Sequence, residues 1–348
     1  TGILLVHVDE TRVERCRGGQ VDVGIRALEG SGILELCDNV LENRRGEVPL
    51  RAGRAAIWVE NVLEPCRVDA NRIIGFERGI LGEGTRQARI EGNVVTTTVT
   101  GIELQGSTGG FVGGNTLEDM NRAIVLAGSQ DTSLQGNVVE RAAEAALLGT
   151  ELRGTVTLTG NRIRFAAFAE PAPEFEPRAA VDLVAAEGDP ECEIIVDGCL
   201  VEEWGRVESN KPGHGGPVVG VRIRAPRVAV RHNRIANPAL QPRPEEDADV
   251  EREHRALLVI SLPANPNERL SGKVMALGNQ FRGTGATALV EVQGQLNSDN
   301  FPVTGFARVS FSDNEVEHRS LGRQEGPARA ASVSLAGGNL VVGDNQVT

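Results

Sequence analysis

The chain has no tyrosine, two tryptophans, two methionines and two lysines (Lys211 and Lys273) among its 348 residues. Carbohydrate sites usually present flat aromatic faces, so this poverty of rings weighs against a sugar-processing enzyme. With 36 basic and 48 acidic side chains the net charge is −12, and no basic run interrupts it. That balance argues against a nucleic-acid partner. No apolar run is long enough to form a membrane-spanning helix. The five cysteines, Cys16, Cys37, Cys66, Cys192 and Cys199, are scattered, with no CxxC pair and no Cys/His set at zinc spacing. They make neither a disulfide scaffold nor a zinc site, and leave the redox compartment open. A secretory leader is also missing, and the first residue is Thr1 rather than Met. The reading therefore expects a processed or excised piece, with more protein beyond both ends.

What the chain does have is a repeat. It reads ARIEGNVV at 88–95, GFVGGNTL at 110–117, TSLQGNVV at 132–139 and VTLTGNRI at 156–163. The register extends outward from these segments to Asn39 and Asn71 on one side, and to Cys199, Asn233, Asn279, Asn314 and Asn345 on the other. Three residues before each position stands an apolar side chain, from Leu36 to Val342, and two residues after it stands another, from Leu41 to Val347. Strand alternation explains both columns: two short strands flank a bend, and one side chain of each points inward. Asn suits the bend because it tolerates a left-handed backbone and hydrogen-bonds locally. Stacked Asn amides also bond along an axis. Between successive bends runs a further strand, GIELQG at 101–106 and AIVLAG at 123–128. A period in the low twenties with no helical pattern indicates a solenoid.

This pattern resembles the right-handed parallel β-helix of the pectate-lyase-like superfamily. The resemblance implies an all-β fold of 11–12 rungs and three sheets, with an Asn ladder at one turn. It also implies that the GIELQG-type strands form the first sheet, which carries the binding groove in the enzymes of that group. The whole chain, 1–348, reads as a single β-helix domain. Short-turn rungs occupy 55–160 and loop-inserted rungs 161–330, with insertions at 164–178, 202–217, 236–254, 263–272, 295–305 and 317–330. In residues 1–30 the bend is placed at Gly18 or Gly19.

With Ile102 and Leu104 inward, the outward residues of the first sheet follow. Glu60, Glu83 and Glu103 fall on three consecutive rungs, close enough to be candidates for a cation site, although a solvated acidic face explains them too. Asp182, Arg222 and Arg224 lie under the insertions, with Glu203, Trp204, His214 and His254 in the loops. An Asp between arginines with a His nearby suits an acidic sugar or acid–base chemistry, so Asp182, Arg222, His214 and Glu203 are the catalytic candidates. An ion-paired surface is the competing account. GHG at 213–215 with RIR at 222–224 resembles short polygalacturonase motifs, but the NTD and DD motifs of that family are missing. The acidic run Glu245, Glu246, Asp247, Asp249, Glu251 and Glu253 lacks the glycine turn of an EF-hand and reads as a solvated loop.

An apolar stripe, Trp58, Leu81, Val125, Ala127 and Leu148, marks the same outward column on the short-turn rungs. It is expected to be exposed in this chain alone, and Trp58, Leu81, Val125, Leu148, Arg224 and Trp204 are the binding candidates. The function expected is a non-catalytic structural or binding module of a surface, fibre or tail-like assembly. The alternative is a polysaccharide lyase or glycoside hydrolase with its groove near 182–260. The partners expected are other domains of a parent chain, a homo-oligomer such as a trimer, or a polysaccharide, without nucleic acid or membrane insertion. No cofactor is expected, and an extracellular or particle-surface location is favoured.

Overall fold

A computed structural model describes residues 1–7, 9–30, 32–43, 54–96, 99–166, 178–204, 218–237, 256–263, 272–284, 288–293, 295–296, 302–304, 306–319 and 332–348. The described chain is a right-handed parallel β-helix. Three strands per turn stack on their counterparts in the next turn. Among the described residues every strand pairing is parallel, save for the short antiparallel contact of Gln295–Leu296 with Pro302–Thr304.

The two apolar columns flanking the bend fix the register. Leu36, Val68, Ile90, Val112, Leu134, Leu158, Val196, Val230, Ala276, Phe311 and Val342 are partners in unbroken succession on the strand before it. On the strand after it, Ile73, Val95, Leu117, Val139 and Ile163 stack in the same way. The first sheet contributes Ile57, Ile80, Ile102, Ile124 and Leu147. All of these except Val342 are buried in one continuous core. The strands before the bend form a 12-stranded sheet. The other two faces join into one 22-stranded sheet, because Thr116–Ala127 and Val138–Leu152 run through the corner between them without a break.

The bend itself is an amide ladder. The Nδ2 of Asn39 donates to Oδ1 of Asn71, Asn71 to Asn93, Asn93 to Asn115, Asn115 to Asn137 and Asn137 to Asn161, at 2.9–3.0 Å. Beyond Cys199 the chain resumes from Asn233 through Asn279 and Asn314 to Asn345. Each Oδ1 also takes a backbone N–H of the preceding rung, and each Nδ2 a carbonyl, as Asn137 does with Val112. These polar groups are fully satisfied inside an apolar coil, which is the condition for burying them at no net cost.

Two sequence expectations are corrected here. The left-handed backbone belongs to the residue before the Asn and not to the Asn: Gly92, Gly114, Gly136, Gly160, Gly198 and Gly278 carry it, as do Arg15, Asp38, Ala70, His232, Asp313 and Asp344. The Asn is retained for its amide. The first bend is at Cys16, neither at Gly18 nor at Gly19, since its backbone N–H donates to Asn39 Oδ1 at 3.0 Å and Arg17–Gly18 pairs with Val40–Leu41. A second, shorter ladder escaped the sequence reading: Thr85 and Ser107 share a hydroxyl hydrogen bond of 2.9 Å, and Ser129 donates to the Leu104 carbonyl.

Where Cys199 replaces Asn, Asn161 Nδ2 meets a sulfur at 3.8 Å. A void of about 10 Å³ lies beside it, lined by Leu147, Leu158, Val181, Val196 and Val221 among others.

Candidate functional site

The outward face of the first sheet follows directly from the register. One column runs Arg26, Trp58, Leu81, Glu103, Val125, Leu148, Asp182, Arg222, Val259, Glu291 and Ser334. The next column carries Leu28, Glu60, Glu83, Gln105, Ala127 and Thr150. Neighbouring rungs are one strand spacing apart, so residues successive in a column are within reach of one another.

At the N-terminal part of this face the side chains interlock. The Arg26 guanidinium lies over the Trp58 ring, 4.0 Å from its centroid, and donates to Glu60 Oε2 at 2.9 Å. The Trp58 indole N–H donates to Glu83 Oε2 at 2.7 Å. Arg78 Nε donates to Glu103 Oε2 at 2.7 Å, and Gln105 donates to the other oxygen of Glu103. Glu60, Glu83 and Glu103 therefore face four different donors, Arg26, Trp58, Arg78 and Gln105. Among the described residues no group of three or more His, Cys, Asp and Glu is placed to hold a metal ion. The cation-site candidacy of these glutamates is corrected accordingly. Each carboxylate was close to the next in sequence register, but the cross-rung arginines and the indole reached it first.

Towards the C-terminus, Arg222 closes a bidentate pair on Asp182, Nε to Oδ1 at 2.9 Å and Nη2 to Oδ2 at 2.5 Å. Asp182 is 8% exposed, so the pair is largely withdrawn from water. Arg224 is half-buried two residues along the strand, opposite Val184 and Ser261. Glu203 is not with them: it takes a left-handed turn after Leu200–Glu202 and receives Arg164 at 3.4 Å. Trp204, expected in a binding loop, is instead 1% exposed within the core and packs against Gly220. The turn at Glu203 folds the indole back under the corner, where an aromatic removes more apolar area from water than it would in a loop. His214, His254, the acidic run from Glu245 to Glu253 and most of the inserted segments lie outside the described residues.

The apolar stripe points outward, since Leu81, Val125 and Leu148 stand apart from the interior cluster that holds Ile80, Ile124 and Leu147. It is nevertheless not an exposed strip. Leu81 and Val125 are 5% and 7% exposed, covered within the chain, while Trp58, Ala127 and Leu148 are half-buried. The correction has a physical reason. Glu103 stands between Leu81 and Val125 in the column, and a long charged side chain covers apolar neighbours with its alkyl stem.

Comparison with known proteins adds the following. A family described as periplasmic copper-binding protein (NosD) matches residues 49–167. Comparison with curated proteins finds none that matches. Among solved structures, the catalytic domain of a GH87 alpha-1,3-glucanase in complex with nigerose is similar at a TM-score of 0.44 and 12% identity. That alignment covers 97% of this chain and 63% of the glucanase domain, so the chain spans less than two thirds of its length. An alginate lyase from Paenibacillus is similar at a TM-score of 0.31 and 9% identity, over 99% of this chain and 92% of the lyase. The chain is a parallel β-helix by its own strand pairing.

Proposed function

We propose that this chain is a non-catalytic β-helix module, and that the outward face of its first sheet serves for packing or binding within a larger assembly. One observation carries the reading: Glu60, Glu83, Glu103 and Asp182 each spend their carboxylate on a donor of the same face. Glycoside hydrolysis needs two carboxylates about 5–10 Å apart, free to act as acid and as base or nucleophile. Proton abstraction needs a base within reach of substrate. Carboxylates engaged by arginines and an indole are poorly placed for either role, and the lack of tyrosine supports the same view.

The test is direct. The purified chain is incubated with neutral and acidic polysaccharides, while new reducing ends and unsaturated uronate absorbance are followed. No turnover is expected. Turnover that disappears in Asp182→Asn would replace this reading with a lyase or hydrolase working near 182–260.

Copper chemistry, suggested by the description of the matching family, finds no suitable donors here. Residues 49–167 contain no histidine, one cysteine and one methionine. Cys66 and Met120 are 1% and 4% exposed, and burial pushes the Cys66 thiol up to about 12. Copper(I) selects accessible thiolate and thioether ligands, so the donor set of the matched stretch does not fit a copper site.

A further inference from the structure

We propose that Cys199 is a built-in weak joint of the coil, the interior rung boundary at which the solenoid opens first. The ladder shows what an intact boundary holds. At the boundary between Asn137 and Asn161, the Asn161 Oδ1 accepts both the backbone N–H and the Nδ2 of Asn137, at 3.0 and 2.9 Å. One rung later the Cys199 sulfur stands in for that oxygen, facing the Asn161 backbone N–H and its Nδ2, the latter at 3.8 Å, while the thiol contacts the Leu158 carbonyl at 3.6 Å. Sulfur is a weak acceptor, and burial keeps this one a neutral thiol. On its far side Cys199 has no amide to extend. Asn233 Oδ1 therefore receives the Cys199 backbone N–H at 2.8 Å, where every Asn–Asn link supplies a second donor.

The void of about 10 Å³ sits at the same place, with Cys199 and Asn233 in its lining. Its lining is apolar, so it offers a water few hydrogen-bond partners. Weakened amide bonds and an unfilled space thus coincide at the Cys199 rung. The joint also separates two kinds of rung: successive ladder positions are 22 or 24 residues apart from Asn71 to Asn161, and 38 from Asn161 to Cys199. In a solenoid each rung is stabilised only by its neighbours, so the weakest boundary is where local opening begins. The joint lies at the transition from short-turn rungs to rungs carrying inserted segments, and it lets that part of the coil open without disturbing the regular stack.

Amide hydrogen exchange on the full chain tests this. The Leu200 and Gly160 amides bridge the joint, donating to the Asn161 and Asp197 carbonyls, while Arg162 and Gly136 bridge the boundary before it, donating to Asn137 and Thr159. The first pair is expected to exchange about tenfold faster than the second. Cys199→Asn, which completes the ladder, is expected to remove the difference. Asn137→Cys is expected to create a new fast boundary, read at Val138 and Gly114. Equal exchange at the two native boundaries, or a difference that survives Cys199→Asn, overturns the proposal. Should Cys199→Asn fold poorly, Asn137→Cys decides alone: no acceleration at Val138 and Gly114 overturns it.

Discussion

Arg222 reaches across one rung and closes both of its hydrogen bonds on Asp182, and the two side chains are only 12% and 11% exposed. Removing one member of a buried pair leaves an uncompensated charge, which costs far more than replacing both. Asp182→Ala is expected to lose about 3 kcal/mol in urea unfolding. The double variant Asp182→Leu with Arg222→Leu is expected to recover most of that loss. An unchanged unfolding midpoint in Asp182→Ala would show the pair to be ornamental.

Asn137 carries four bonds of the ladder: it donates to Val112 O and Asn161 Oδ1, and accepts from the N–H and Nδ2 of Asn115. Asn137→Leu deletes these bonds and leaves the Asn115 donors buried without an acceptor. The expected cost is about 3 kcal/mol, with no contribution from backbone strain at 137. Gly136, by contrast, has a φ of 62° with nothing within 4 Å of an added Cβ. Gly136→Ala is therefore a pure conformational penalty of about 1 kcal/mol. Thermal unfolding of the two variants separates the roles of the neighbouring residues, and equal losses would contradict that separation.

The thiols should report burial. Cys16 is half-exposed, while Cys37, Cys66, Cys192 and Cys199 are 8%, 1%, 0% and 4% exposed. Burial pushes the Cys66 and Cys192 thiols up to about 12. A thiol-specific disulfide reagent at pH 8 is expected to label one cysteine in the native chain and five in denaturant. Two or more fast native thiols would show the coil to be looser than described.

Two carboxylates should titrate low. The hydrogen bond from Arg141 holds Asp119 below the ordinary aspartate value, and that from Arg89 does the same for Glu91. A depressed carboxylate contributes its full stabilisation above its unfolded pKa, about 3.9 for Asp and 4.3 for Glu. The contribution disappears as pH falls through the lower folded value. Both pairs are well exposed to solvent, so the effect on unfolding is small and salt-sensitive. NMR titration of the carboxyl carbons is the right measurement, and Arg141→Gln should raise the Asp119 pKa, since the hydrogen bond that lowers it is gone. A normal Asp119 titration in the unmodified chain would count against the pair.

Packing along the first sheet is best probed at Leu148. Val125 is 7% exposed within the chain itself, so Val125→Glu is expected to cost stability directly, whatever binds nearby. Leu148 is half-buried. Leu148→Glu should leave unfolding nearly unchanged and abolish self-association, if the stripe packs on another copy. Sedimentation velocity reads the outcome, and association that persists in Leu148→Glu would move the interface elsewhere.

Much of the fold was readable from the chain because three signals repeat in phase: an Asn, an apolar residue three before it and another two after it. The outward columns of the first sheet followed, and Asp182 beside Arg222 was among them. What failed depended on contacts across rungs that spacing does not encode. Trp204 read as a loop residue because it follows Glu202 and Glu203, yet the left-handed turn at Glu203 returns it to the core. Cys16 was passed over because no Asn marks the first bend, although Val13 stands three before it and the rung pairs in register. The glutamates looked like a cluster because the arginines that claim two of them, Arg26 and Arg78, come from other rungs or strand ends. Thr85, Ser107 and Ser129 repeat with the period of the central asparagines, so the second ladder has a sequence signature of its own.

The amide ladder also bears on how such a chain can change length. Asn93, Asn115 and Asn137 are evenly spaced, and each donates to its successor through the same pair of atoms. Excising one full turn between two of them would bring together an amide and an oxygen that already fit. Duplicating a turn would do the same. Growth and shortening by whole turns therefore preserve the ladder in the central stretch, whereas a gain or loss of a few residues breaks its register. The gene can vary the reach of the protein in quanta of one turn, with the asparagines as the teeth that keep the count.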